Sequence, residues 1–134
     1  MAERRMFSSK IVCSDAFCEM PFSAQALYYQ FVMEADDDGF LNRPKRIMRN
    51  ICATEADLNS LLEKRFVLGF PNSVIAIKHW RVNNQIRKDR YTPTQYQEEF
   101  NSLEIKADGA YTEREKETQV DTLATRWQPD GNPD

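Results

Sequence analysis

The segment Gly39–Arg81 reads GFLNRPKRIMRN (39–50), ICATEADLNSLLEKRF (51–66) and VLGFPNSVIAIKHWR (67–81). In the first piece Phe40-Leu41 makes a short strand. Pro44 suits the first turn of a helix, where its missing N–H is not needed. On that helix Ile47 and Ile51 share one side and Lys45, Arg46 and Arg49 the other. The second piece opens at Thr54, an N-cap residue, with Glu55 and Asp57 in the first turn, where the helix dipole favours carboxylates. Leu58, Leu61 and Leu62 form its buried stripe, and Lys64-Arg65 close it. The third piece holds two apolar β-type runs, Phe66–Phe70 and Val74–Lys78, joined by Pro71-Asn72-Ser73, which is a hairpin signal. Helix, short turn, helix and hairpin predict a mainly α fold with a small β-hairpin, ordered as a winged helix-turn-helix.

Upstream, residues 1–22 read as an irregular, partly apolar arm carrying Met6, Phe7, Ile11, Val12 and Phe17, with one helical turn at Ser14–Phe17. An apolar arm with no place in its own domain predicts self-association through it, with folding back over its own sheet as the alternative. The main domain, 23–111, starts with Ser23 as N-cap and Phe22 and Leu27 as a hydrophobic staple. Ala24, Leu27, Tyr28, Phe31 and Ala35 repeat as one buried helix face. Asp36-Asp37-Asp38-Gly39 ends this helix as a turn with Gly39 left-handed; a calcium loop needs acids at alternating positions. Downstream, Trp80 packs under the sheet, Asn83 caps a short basic helix through Arg90, and Thr92-Pro93 stops it. Thr94–Gln97 matches a capping box before a last helix carrying Tyr96, Phe100 and Leu103, and Asp108-Gly109 is a turn. Residues 112–134 read as a flexible acidic and polar tail with Val120, Leu123 and Trp127 as its apolar handholds.

The chain has 134 residues, 41% of them hydrophobic, and a net charge of −3. The average hides a strong asymmetry. From Gly39 to Pro93 there are eleven basic residues against four acidic ones, a net of +7. From Thr94 onward four basic residues face ten acidic ones, a net of −6. The positive charge lies where a helix-turn-helix would meet phosphates. No run approaches a membrane span and the first ten residues lack an apolar signal core, which predicts a cytoplasmic protein. Cys13, Cys18 and Cys52 share no metal-ligand spacing and His79 is the single histidine, so no metal or other cofactor is expected. The three cysteines are read as small buried or half-buried thiols. With no nucleophile-plus-base pair and no glycine-rich phosphate loop, the sequence does not read as an enzyme.

Several ordered blocks between Ser9 and Tyr111 carry a further signal. They are Lys10-Ile11-Val12 with Ser14–Phe17, Met20-Pro21 with Ser23–Tyr28, and Ala35–Phe40. Lys64-Arg65-Phe66, Ile77–Trp80, Ile86–Tyr91, Pro93-Thr94 and Tyr96-Gln97 continue the series. In these blocks the chain resembles the N-terminal domain of the replisome organisers of phages of low-GC Gram-positive bacteria, which are grouped with DnaD-like primosomal proteins. The resemblance implies a winged-helix DNA-binding domain in phage replication initiation, acting in the bacterial host's cytoplasm. It further implies oligomers on repeated origin sites, and a helicase or helicase loader as a partner through regions beyond this domain.

The residues expected to meet DNA, duplex or single-stranded, are Arg43, Lys45, Arg46, Arg49, Asn59, Ser60, Lys64, Lys78, Arg81, Arg87, Lys88 and Arg90. Most are cations suited to phosphate; Asn59, Ser60 and Lys64 lie on the second helix, where base edges are read. Two other readings use the same fold: a protein-interaction or oligomerisation scaffold, and a phage transcriptional regulator.

Overall fold

A computed structural model describes residues 5–84 and 90–113. Two short helices, α1 (Ser9–Val12) and α2 (Asp15–Cys18), precede the long helix α3 (Phe22–Glu34). Strand β1 (Phe40–Asn42), helices α4 (Pro44–Asn50) and α5 (Glu55–Glu63), and strands β2 (Val67–Gly69) and β3 (Val74–Ile77) follow. The described chain ends with α6 (Trp80–Asn83), α7 (Gln97–Asn101), β4 (Leu103–Ile105) and β5 (Tyr111–Glu113). The result is a mixed α+β fold with two small antiparallel sheets. The expected hairpin is present, with Gly69 opposite Ile75 and a tight turn at Pro71–Ser73. Two features depart from a mainly α fold with one hairpin. Strand β1 pairs with β3, Phe40 opposite Ala76, giving the order β1-β3-β2. A second hairpin, β4–β5, stands where a helix end and the start of the tail were expected. No described helix is long and apolar enough to cross a membrane.

The core forms where α3, α4 and α5 cover the first sheet. Phe17, Leu27, Tyr28, Phe31, Leu61, Val67 and Ile77 are all buried there. Phe17 stands edge-on to Tyr28 and to Phe66, which explains why an aromatic from the arm belongs inside. Helix α5 is fixed by a reciprocal cap in which the Asp57 N–H donates to Thr54 Oγ1 and the Thr54 N–H donates to Asp57 Oδ2. The Ser23 hydroxyl donates to the other Asp57 oxygen at 2.7 Å, tying α3 to α5. Burial pushes the Asp57 carboxyl up, but the Ser23 hydroxyl and the Thr54 donors outweigh it and hold it below its usual range. Ser23 is therefore not the N-cap of α3. Pro21 takes that place, the helix starts two residues earlier, and Phe22 points into solvent instead of forming a staple.

The three acids before Gly39 organise the other half of the molecule. Asp36 Oδ1 accepts the N–H groups of Asp38 and Phe40, and its other oxygen accepts the Thr94 hydroxyl. Asp37 accepts from the Thr92 N–H, while its backbone carbonyl accepts the Trp80 indole N–H at 2.9 Å. Asp38 is 2% exposed and accepts from the Tyr91 hydroxyl, the Thr94 N–H and the Arg81 guanidinium; its carbonyl accepts the Tyr111 hydroxyl. Gly39 is left-handed as expected, and it has a second reason to be glycine: a Cβ there would stand 2.6 Å from Trp80 Cγ.

Several expected local details are corrected by these contacts. Asn83 does not start a helix; it ends α6, buried, accepting from the Ser8 N–H and donating to the Tyr28 hydroxyl. Thr94 is committed to Asp36 and Asp38, so α7 begins at Gln97 without a capping box. Thr112 and Glu113, placed in the tail, pair with β4. Cys13, Cys18 and Cys52 are exposed, not buried: Cys13 and Cys52 sit at turns, and Cys18 ends the short helix α2. The arm takes a place on its own domain: the Met6 N–H donates to Asn84, Arg5 donates to the Ala35 carbonyl, and Phe7 meets Tyr29 edge-on at 5.0 Å. The expected basic helix through residues 85–89 and the tail from residue 114 lie outside the described residues.

Gly39→Ala is expected to cost about 2–4 kcal/mol in urea unfolding, from left-handed strain together with overlap on Trp80. A loss under 0.5 kcal/mol would show that the turn tolerates a side chain. The tyrosines give a pH prediction. Burial pushes Tyr28 up to about 12, against its hydrogen bond with Asn83. Burial and the adjacent Asp38 carboxylate push Tyr91 up to about 12, and burial does the same for Tyr111. The neutral forms therefore favour the fold below about 10. That stability is lost as pH rises from there to about 12. Absorbance titration near 295 nm should show three late tyrosines in the native protein and none after denaturation.

Candidate nucleic-acid interface

Helix α4 is short because Pro44 starts it and Ile51 leaves helical geometry at its end. Its buried side, Ile47 and Met48, enters the core, so Lys45, Arg46 and Arg49 are directed outward. Arg43, just before it, has the left-handed φ of 53°, uncommon for a residue with a side chain. Its N–H donates to the Ser73 carbonyl at 3.1 Å, and Asn72 and Ser73 are themselves left-handed. This bond holds the start of α4 against the hairpin loop. Between them, with α5 as the third wall, lies a groove of about 500 Å³. Arg43, Lys45, Arg46 and Arg49 line it with Leu58, Leu62 and Phe70.

The four cations differ in their partners. Lys45 meets Glu55 at 3.5 Å and Arg46 meets Glu34 at 3.4 Å, both between largely exposed side chains. Such pairs contribute about 0–1 kcal/mol and exchange readily for another anion. Arg43 and Arg49 have no ion pair among the described residues. The groove is therefore an anion-attracting concavity with an apolar floor.

The other sequence-predicted residues are not gathered there. Asn59 and Ser60 lie on α5, with Asn59 one turn after Glu55, which adds negative charge to that face. Lys64 is the C-cap of α5 and meets Glu19 at 4.0 Å. Arg81 turns inward to Asp38 and serves the acidic turn. Arg90 is exposed, and Arg87 and Lys88 lie outside the described residues. Lys78 stands in a mixed group with Lys106, Asp108 and Arg65, the last of these paired with Glu113 at 3.3 Å. Burial lowers its ammonium first, and the charges of Arg65 and Lys106 lower it further. His79 beside it is lowered by burial and then by Lys78, which favours the neutral imidazole near pH 7. Lys106 escaped the sequence reading because it sits among the acids after Thr94; the β4–β5 hairpin carries it back. No group of three or more metal-ligating side chains occurs among the described residues.

Comparisons with protein-family models, curated proteins and solved structures return no match.

Replacing both Arg43 and Arg49 by alanine should leave unfolding free energy within about 0.5 kcal/mol of the parent, since both are exposed and neither has an ion pair among the described residues. Arg81→Ala should cost about 1–2 kcal/mol by removing a charged donor from buried Asp38. Urea denaturation of the two variants separates surface cations from the structural one, and equal losses would contradict the division.

Proposed function

We propose that this chain is a DNA-binding module of the winged-helix type, acting in the initiation of phage DNA replication. In this reading α4 and α5 are the helix-turn-helix, and β2–β3 with β1 are the wing and its sheet. The observation that carries it is the groove where Arg43, Lys45, Arg46 and Arg49 converge beside the hairpin loop, two of them without an ion pair among the described residues. Cations held at one place by α4 and a hairpin suit phosphate contacts, which set affinity and register on a duplex. Base readout is modest, because α5 presents Glu55 and Glu63 along with Asn59, Ser60 and Lys64. Lys78 and Lys106 lie beyond the hairpin, but Arg65 there is paired with Glu113 and Asp108 stands near Lys78, so little net positive charge is added. The resemblance to replisome organisers supports replication rather than transcription, with a helicase or its loader as a partner reached through other regions. One observation favours a second reading as a protein-interaction scaffold: the groove floor of Leu58, Leu62 and Phe70 is apolar.

Fluorescence anisotropy with duplex and single-stranded DNA over a salt series tests the proposal. Four phosphate contacts of about 0.9 each predict a slope near −3.6 in log affinity against log salt. Alanine at Lys45, Arg46 and Arg49 together should weaken binding to all sequences and flatten the slope to about −0.9. A folded triple variant with unchanged affinity would remove DNA from this groove.

A further inference from the structure

Helix α3 is apolar on two opposite sides. Its inner side, Ala24, Leu27, Tyr28, Phe31 and Val32, is buried. At 100° per residue, Phe22, Ala26, Tyr29 and Met33 fall within about 60° of one another on the outer side. An ordinary surface helix carries polar or charged residues there. Here Phe22 is 87% exposed and Met33 is 50% exposed, while Ala26 is exposed as well. Tyr29 is half-buried because Phe7 and Phe17 stand edge-on to it at 5.0 and 5.7 Å. Between Phe22 and Met33 the sequence FSAQALYYQFVM contains no charged residue. Among the described residues only the Tyr29 end of this side is partly covered, and Phe22, Ala26 and Met33 stay exposed.

We propose that the outer stripe of α3 is the contact between two copies of this chain, packed antiparallel. The spacing of 22, 26, 29 and 33 is four, three, four, which is the a/d repeat of a two-helix seam. A two-fold axis between positions 27 and 28 sets residue 22 against 33 and residue 26 against 29. Phe22 then meets Met33, and small Ala26 meets large Tyr29, so the stripe complements itself in size. This satisfies the rule for a two-fold interface, in which the same patch serves both subunits. The absence of charge argues for a second copy over a partner of opposite charge. The seam alone spans about 17 Å and is smaller than a standard interface of about 800 Å² per partner. Met6 and Phe7, 59% and 37% exposed beside Tyr29, widen it. The arm thus contributes to the contact from its seat on its own domain. No residue of the stripe lines the basic groove.

Sedimentation equilibrium of the full chain in reducing buffer, from about 10 μM to about 1 mM, tests this by mass action. The parent should show a monomer–dimer equilibrium in that range. Phe22→Glu and Met33→Glu should each weaken it about a hundredfold, since each buries an unpaired charge in the seam. Their circular dichroism and melting should stay as in the parent, because both side chains are outside the core. The antiparallel register predicts that Phe22→Lys combined with Met33→Glu regains at least tenfold, since each lysine then faces a glutamate of the other copy. A parent that is monomeric throughout, or single variants that dimerise like the parent, overturns the interface. A double variant no stronger than the singles overturns the antiparallel pairing.

Discussion

The carboxylates of half-buried Asp36 and of buried Asp37 and Asp38 impose the constraint on which half of this fold depends. A carboxylate removed from water must be hydrogen-bonded, and three adjacent ones require many donors within a small volume. Those donors come from Thr92, Thr94, Tyr91 and Arg81. The neighbouring backbone carbonyls take the Trp80 indole and the Tyr111 hydroxyl. One turn thereby fixes the position of α6, of the segment leading to α7 and of the second hairpin. Gly39 closes the arrangement, since only a residue without a side chain lets the Trp80 ring lie against the backbone at that point.

That anchoring has a consequence for the candidate interface. The acidic turn sits immediately before β1, and β1 leads directly into Arg43 and α4. Pairing of β1 with β3 sets Asn42 opposite Val74, beside the hairpin loop, and the Arg43–Ser73 bond extends this contact by one residue. The groove cations are therefore held on a frame of strand, hairpin and helix, not on a free loop. Arg81 shows the reverse case: a cation within the basic segment whose charge is consumed by Asp38. Net charge by segment is thus a poor guide to which cations face outward. The distinction depends on where the acids are, and these acids lie outside the basic span.

The two exposed surfaces divide by chemistry. The groove between α4, α5 and the hairpin is cationic at its rim, and the outer side of α3 is apolar and uncharged. Each suits a different kind of partner, a polyanion in one case and a matching apolar seam in the other. Because α3 uses its opposite side for the core, either contact can form without disturbing the packing that links α3 to α5 through Ser23 and Asp57.

Local sequence determined the elements whose signals are short-range. Thr54 with Asp57 specified the start of α5, Pro44 the start of α4, and Pro71-Asn72-Ser73 the hairpin, because caps and turns are decided within four residues. The apolar repeat in α3 likewise identified its buried side. Tertiary structure decided what depends on residues far apart. Phe40-Leu41 was legible as a short strand, but its pairing was not, because β3, which offered its free edge, lies more than thirty residues later. Thr94 and Asn83 looked like caps, but they are used as hydrogen-bond donors to Asp38 and Tyr28. Of the candidate site, Arg43, Lys45, Arg46 and Arg49 were legible because one short helix carries them together. The separation of Lys78 into a cluster with Lys106, and the inward turn of Arg81, were not, since long-range packing alone sets which charges become neighbours.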